Sequence, residues 1–178
     1  YIAVGNGRTQ PFVYVQGTVR QGADDQNVFV TQLGKEAGNR LWNIEIRSND
    51  TPSPGQEQAG GIGVGPQGVV RAAVSSDGSD LTAGGVLLRD TPTTASRHGH
   101  LLFLDPTEGR LRNDRLLGAS TEPGGVMDTY NLDIDYAGNT YVAIGFTGSY
   151  SFKGAIQQGE EDAAVVVVDS LGIPCLLY

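Results

Sequence analysis

The feature that most constrains this chain is an apolar alternation that recurs three times, each copy containing a glycine near its end. The three copies are FVYVQGTV (Phe12 to Val19), DLTAGGVL (Asp80 to Leu87) and TYVAIGFT (Thr140 to Thr147). Their glycines, Gly17, Gly85 and Gly145, are 68 and 60 residues apart. Since side chains alternate between the two faces of a strand, a repeated alternation of this kind indicates a β-repeat protein.

A second landmark follows each copy of the first and ends in a glycine turn at Gly38, Gly109 or Gly172. Its copies are DQNVFVTQL (Asp25 to Leu33), HGHLLFLDP (His98 to Pro106) and DAAVVVVDS (Asp162 to Ser170), and the three turn glycines that follow them are 71 and 63 residues apart. Because both sequence patterns recur at nearly the same spacing, together they indicate a repeat more strongly than either pattern does alone.

Each repeat is interpreted as four short strands separated by turn signals such as Asn-Gly and Asp-Gly, which tolerate positive φ. The predicted strands are Tyr1 to Val4, Phe12 to Val19, Val28 to Leu33 and Arg40 to Ile46 in the first repeat, Val69 to Val74, Leu81 to Leu88, Leu101 to Leu104 and Leu111 to Leu117 in the second, and Tyr130 to Asp135, Thr140 to Phe146, Ala164 to Val168 and Ile173 to Tyr178 in the third.

We therefore predict an all-β chain of three four-stranded antiparallel meanders, arranged as β-propeller blades that are part of a larger propeller. The blades span residues 1–48, 69–120 and 127–178, and residues 49–68 form a long loop. Residues 148–161 are predicted to form a second long loop.

The third repeat, LDIDYAGNTYVAIGFTG (Leu132 to Gly148) followed by DAAVVVVDSLG (Asp162 to Gly172), resembles the bacterial SBBP-type β-propeller repeat, as does Asp25 to Ile46 in the first. The shared pattern is a Gly-Asn turn, a Tyr-Val strand ending in Gly and Thr, and an Asp before a Val-rich strand. The second repeat departs from it, with His98 where the others have Asp25 and Asp162. The resemblance implies an extracellular or cell-envelope module, and it implies no particular reaction.

Charge and composition exclude some partners. The net charge is −8, whereas phosphate-backbone binding needs a basic face, so nucleic acid is not expected as a partner. No apolar run is long enough to be a membrane-spanning helix. The single cysteine, Cys175, is predicted to be buried, as unpaired cysteines usually are.

Candidate metal ligands are Asp25, His98 and Asp162, which are predicted to occupy the same position in each blade, before the third strand. Oxygen ligands at one mouth of a propeller would favour calcium. The alternative is that each is a polar residue at a strand start, bonded to local backbone N–H groups. His98 and His100 are predicted to share one face of their strand and to face solvent.

No nucleophile signature and no cofactor-binding motif is present, so no catalytic or cofactor-binding residue is predicted. The glycine run at residues 60–65 is followed by no helix that could bind a phosphate. Trp42 is predicted to pack between blades, and a carbohydrate-binding platform is the alternative.

The leading hypothesis is a non-catalytic extracellular scaffold or protein-interaction module. The alternatives are a polysaccharide-active hydrolase or lyase that uses the propeller channel, and a structural subunit of a larger filament or complex. Three blades leave two apolar faces uncovered, and the strand pattern runs to both ends of the sequence. The expected partner is therefore protein, either further blades of the same chain or a second copy.

Overall fold

Antiparallel strands make up the regular secondary structure of this chain in a computed structural model. The structure describes residues 1–6, 11–21, 25–34, 37–49, 55–92, 97–120, 122, 124–152 and 155–177. The strands are β1 (Ile2–Asn6), β2 (Pro11–Arg20), β3 (Gln26–Leu33), β4 (Arg40–Ser48), β5 (Gln58–Val64), β6 (Val70–Ser76), β7 (Leu81–Ala83), β8 (Val86–Leu87), β9 (His98–Leu104), β10 (Leu111–Ser120), β11 (Met127–Ile134), β12 (Thr140–Phe152), β13 (Ala155–Val168) and β14 (Pro174–Leu177). No helix occurs in these residues, so none is present that could cross a membrane.

The strands form two antiparallel sheets, which confirms the all-β prediction. One sheet has the order β1-β2-β3-β4-β7-β8, and the other has the order β14-β13-β12-β10-β9-β6-β5, with β11 paired to β12. Three runs of four neighbours lie within them. We call these the N-terminal meander (β1 to β4), the middle meander (β5, β6, β9 and β10) and the C-terminal meander (β11 to β14). Within the second sheet, the described strand pairing between the middle and C-terminal meanders is that of Ala119 and Ser120 of β10 with Ser151 and Tyr150 of β12.

The second repeat differs from its predicted arrangement in three ways. Residues 49–68, predicted as a loop, contain β5, and β5 is the first strand of the middle meander. The predicted first strand, Val69 to Val74, is therefore the second strand, β6. The predicted second strand, Leu81 to Leu88, is the small β7–β8 hairpin, which leaves the middle meander to pair with β4.

Two further predictions are wrong. Gly85 lies in the β7–β8 turn with a φ of 80°, whereas Gly17 and Gly145 lie in the second strands of their meanders, so the three glycines are not equivalent. The loop predicted at residues 148–161 is instead strand over its described residues, because β12 continues to Phe152 and β13 begins at Ala155. β12 and β13 are therefore longer than the predicted strands Thr140 to Phe146 and Ala164 to Val168, and the other predicted strands agree with the described ones within about three residues at their ends.

Two apolar cores lie on opposite faces of the middle meander. Along β9, Leu102 and Leu104 belong to the core shared with the N-terminal meander, and Leu101 and Phe103 belong to the core shared with the C-terminal meander. The alternation arises because successive strand residues point to opposite faces. The middle meander is therefore covered on both sides, and each outer meander buries one face against it.

Glycines in β5 allow β11 to approach its backbone closely. A methyl group at Gly60 would lie 1.8 Å from the Oγ1 atom of Thr129, and one at Gly63 would lie 2.8 Å from a methyl carbon of Leu132. Side chains at these positions would separate the two strands. The glycine run therefore serves strand packing, and β5 lies between β1 on one side and β11 on the other.

A buried glutamine connects the N-terminal and middle meanders. Gln16 of β2 donates from Nε2 to the carbonyl oxygen of Ala73 at 2.8 Å, and its Oε1 accepts the N–H of Gly61 at 3.0 Å. Only 1% of Gln16 is exposed. Because both the nitrogen and the oxygen of the side-chain amide have partners, this polar residue is tolerated inside an apolar interface.

Candidate functional site

The three predicted metal candidates all lie at or in the third strand of their meanders, in different environments. Asp25 directly precedes β3 and is half-buried, His98 begins β9 and is buried, and Asp162 lies inside β13 opposite Phe146 and is exposed. Among the residues that the structure describes, no three His, Cys, Asp or Glu side chains form a group that could hold a metal ion. Calcium binding by these residues stays a prediction.

His98 and His100 share one face of β9, as predicted, but they are buried and do not face solvent. Their rings meet edge to face with centroids 5.2 Å apart. The Nδ1 atom of His100 lies 3.7 Å from Oδ2 of Asp114, and Asp114 also accepts the N–H of Arg89 at 2.9 Å. The histidines are buried because their face of β9 continues into Leu102, which belongs to the core shared with the N-terminal meander.

Glu57 extends this line of buried polar groups at the same end of the middle meander. Ser76, the cross-strand neighbour of His98, donates its hydroxyl to Oε1 of Glu57 at 2.9 Å. Glu57 is fully buried, and its Oε2 has no hydrogen-bond partner among the described residues. Burial raises the pKa of this carboxyl to about 8; the Ser76 hydrogen bond lowers it, and nearby Asp77 raises it further. Glu57 was not predicted as a site residue, because it lies in the segment predicted as a loop.

A second polar network ties the middle meander to the C-terminal meander. Arg97 donates from Nε to Oδ1 of Asp128 at 2.6 Å and from Nη2 to Oε1 of Gln58 at 2.8 Å. The hydroxyl of Ser75 also donates to Asp128, at 3.2 Å. These contacts satisfy charged groups at the edge of a core.

The outer face of the C-terminal meander, which we call the C-terminal face, exposes apolar side chains together with those of Asn131 and Asp133. On it, Tyr141 stands opposite Val167 in the β12–β13 pairing, and Ala143 stands opposite Val165. The ring of Tyr130 lies over Gly145 on the same side. Tyr130 is 53% exposed, Tyr141 37% and Val165 36%. Shallow clefts lie on this face, one of them lined by Asn131, Tyr141, Ala143 and Val165.

Cys175 was predicted to be buried and is exposed on the C-terminal face. It pairs with Val167, whose neighbours Val166 and Val168 are the residues that point into the core. The alternation of β13 therefore places Cys175 on the outer side, because cross-strand partners share a face.

The opposite end of the stack has its own exposed surface, which we call the N-terminal face. Ile2 and Val4 of β1 stand opposite Val15 and Val13 of β2, and Ile2 is 71% exposed. The ring of Phe29 covers Gly17 on the same side of the sheet and is half-buried.

Trp42 is confirmed as a core residue rather than an exposed platform. It packs against Tyr14 with ring centroids 5.9 Å apart, and its Nε1 donates to the carbonyl oxygen of Pro106 at 3.1 Å. Nearby, an apolar cleft of about 410 Å³ opens between the first two meanders, lined by Phe12, Tyr14 and Val64 among others. Its lining contains no carboxylate and no cationic side chain.

Sequence comparisons with known proteins identify no family for this chain. No protein-family model matches the chain, and no curated protein matches it in a sequence search. The resemblance to SBBP-type repeats stays a prediction that depends on the residues quoted for it.

Proposed function

We propose that this chain is a non-catalytic interaction module and scaffold made of three stacked β-propeller blades, one for each meander. The arrangement of the first strands supports this proposal, because β5 lies between β1 and β11 and thus brings the first strands of successive meanders together. Propellers place the first strand of each blade nearest the central axis in the same way. The β7–β8 hairpin is then an insertion that extends the first blade.

The observation that carries the proposal is the contrast between the middle meander and its neighbours. The middle meander is covered on both faces by apolar side chains, whereas each outer meander leaves apolar side chains exposed on its outer face. Contiguous apolar surface on a protein marks an interaction site more often than single exposed residues do. Both exposed faces are therefore positions where a further blade stacks.

A second copy of this chain is the partner that we propose. The C-terminal face of each copy packs on the N-terminal face of the other, so the closed ring contains this contact twice. Each contact repeats the stacking of meanders within the chain. Two sets of three blades make six, which lies within the range of about four to eight blades with which propellers close. Further blades of the same polypeptide would cover the same two faces.

The SBBP-type resemblance favours a location outside the cell or in the cell envelope. The enzyme alternative needs two carboxylates facing one cleft, about 5–10 Å apart, for acid–base work on a glycosidic bond. Each of the five clefts described in this structure is lined by at most one carboxylate. No observation favours that alternative over the interaction module.

A face-specific pair of substitutions tests the proposal by sedimentation velocity. Val165→Lys places a charge in the middle of the C-terminal face, and we expect it to abolish association. The matched control Leu171→Lys changes a residue that is 78% exposed in the β13–β14 turn, outside the strands of the face, and should associate like the wild type. Equal association of both variants and the wild type would refute the role of this face.

A further inference from the structure

A buried arginine with no acidic partner lies between the middle and C-terminal meanders. Arg71 of β6 is 5% exposed, and its guanidinium carbon lies 5.1 Å from the centre of the Phe103 ring. It forms no ion pair with any described carboxylate. A buried charge is costly unless it is paired, so an arginine in this position requires an explanation.

Only one of the three guanidinium nitrogens is engaged. Nη1 donates to the carbonyl oxygen of Gly138 at 2.6 Å and to the hydroxyl of Thr140. Neither Nε nor Nη2 donates a hydrogen bond to any described residue, and Nε is buried. These two nitrogens form the edge of the guanidinium that matches a carboxylate, through two parallel hydrogen bonds.

The unused edge of Arg71 faces a small cleft. The cleft has a volume of about 160 Å³ and is lined by the β5–β6 turn (Gly65, Pro66), the β11–β12 turn (Tyr136, Gly138), Arg71 and Ser170, among others. A methyl group built on Gly65 would lie 3.9 Å from both Nε and Nη2, and one on Gly138 would lie 3.8 Å from Nη2. The missing side chains of these glycines therefore leave room for an atom at contact distance from this edge.

Asp135, the acid that acts electrostatically on Arg71, has its hydrogen-bond partners in the β11–β12 turn. Asp135 raises the pKa of Arg71, opposing the larger lowering caused by burial. Its carboxylate accepts the N–H and the side-chain amide of Asn139, both at 2.8 Å, and the hydroxyl of Tyr141 at 3.1 Å. It thus closes the β11–β12 turn and leaves the Nε–Nη2 edge without a partner.

We propose that this cleft is a binding site for a single carboxylate group, held side-on by Nε and Nη2 of Arg71. One guanidinium edge matches the charge and the planar shape of a carboxylate. A phosphate dianion carries a second negative charge, which one arginine does not neutralise and which Asp135 repels. The carboxylate comes either from a small organic acid or from the C-terminus of a partner chain. This site does not depend on the proposed association of the two outer faces.

An NMR titration of the wild-type protein tests the site without any substitution. Sodium acetate should produce a saturable shift of the Arg71 Nε–H resonance and of the Gly65 and Gly138 amides, compared with sodium chloride at equal ionic strength. The Nε–H of Arg97, which is bonded to Asp128, is the internal control and should not move. No saturable shift at Arg71, or equal shifts with chloride, would overturn the proposal. Tighter binding of inorganic phosphate than of acetate would overturn the assignment to a carboxylate.

Two peptides distinguish the sources of the carboxylate. N-acetylglycylglycine binding more tightly than acetate would identify a chain terminus as the ligand, and equal binding would identify a small acid. The amidated form of this peptide lacks the carboxylate and should leave the Arg71, Gly65 and Gly138 resonances in place. Shifts equal to those caused by the acid would overturn the proposal.

Two variants complete the test. Gly65→Ala adds a methyl beside the free edge at an ordinary contact distance, so it should fold normally and weaken acetate binding by about threefold or more. Arg71→Lys keeps the charge but loses the paired donors, and it should weaken binding by about tenfold. Acetate affinity unchanged in Gly65→Ala, the variant that leaves Arg71 intact, would contradict the site.

Discussion

Ser76 donates a hydrogen bond to Oε1 of Glu57 across 2.9 Å, and both side chains are fully buried at the end of the middle meander. This contact places a titratable carboxyl inside the stack, in line with His98 and His100. Since burial raises the pKa of Glu57 to about 8, the folded protein holds this carboxyl in its neutral form over much of the physiological range.

The stability of the protein should therefore fall as pH rises across the window set by Glu57. Between the ordinary value of 4.5 and about 8, the folded state holds a proton that the unfolded state has lost. Folding is then favoured at the acidic end, where both states are protonated, and weakened as pH passes through the folded-state pKa. Glu57→Gln removes this dependence, so its Tm should exceed that of the wild type by several degrees near pH 9 and match it near pH 4.

The control for this experiment is Glu108→Gln, which changes an exposed glutamate paired with Arg110. Thermal melts of both variants and the wild type across the pH range give the comparison. A Glu57→Gln variant that is less stable than the wild type at alkaline pH would show that the carboxylate is ionised and well solvated there.

Gly109 should tolerate substitution much less well than Gly38, although both have positive φ, 70° and 61°. A methyl at Gly109 would lie 2.5 Å from the Trp42 ring, whereas one at Gly38 meets no atom within 4 Å. Gly38→Ala should cost about 1 kcal/mol of backbone strain, and Gly109→Ala about 2–4 kcal/mol, because the Trp42 ring must also move. Urea unfolding measures both, and equal losses would mean that Trp42 does not pack on this turn.

Gln16 should contribute more to stability than other glutamines, because it joins two meanders. Gln16→Leu leaves the N–H of Gly61 without its buried acceptor, which should cost about 2–4 kcal/mol in the free energy of unfolding. Gln21→Leu is the matched control, since the exposed side chain of Gln21 donates to Oε1 of Glu45 at the surface, and the substitution should change stability by less than about 0.5 kcal/mol. Similar effects of the two substitutions in urea titrations would contradict the packing of β2 against β5.

Alternation of apolar residues was sufficient to predict most strands of the two outer meanders. In β13 the run of valines before Asp169 alternates between the core and the C-terminal face, and the sequence carries that signal directly. The middle meander was harder to predict. Its first strand, β5, contains Gly60, Gly61 and Gly63, which resemble loop residues until the close approach of β11 is seen. That approach is a tertiary contact, and no local pattern encodes it.

The polar sites were less predictable than the strands. His98 and His100 lie in the polar stretch RHGH, so a solvent-facing position was the natural expectation, and burial follows only from the cover supplied by the N-terminal meander. Glu57 and Arg71 carried no motif at all. Their importance comes from burial without a charged partner, which can be recognised only after the strands have been assembled.

The most direct test of the account is the mass of the wild-type protein in solution, measured by light scattering over a series of concentrations. Stacking of the C-terminal face on the N-terminal face of a second copy predicts a species of about twice the 18.7 kDa chain mass, populated increasingly as concentration rises. A folded monomer at every concentration, with both apolar faces uncovered, would contradict the central claim.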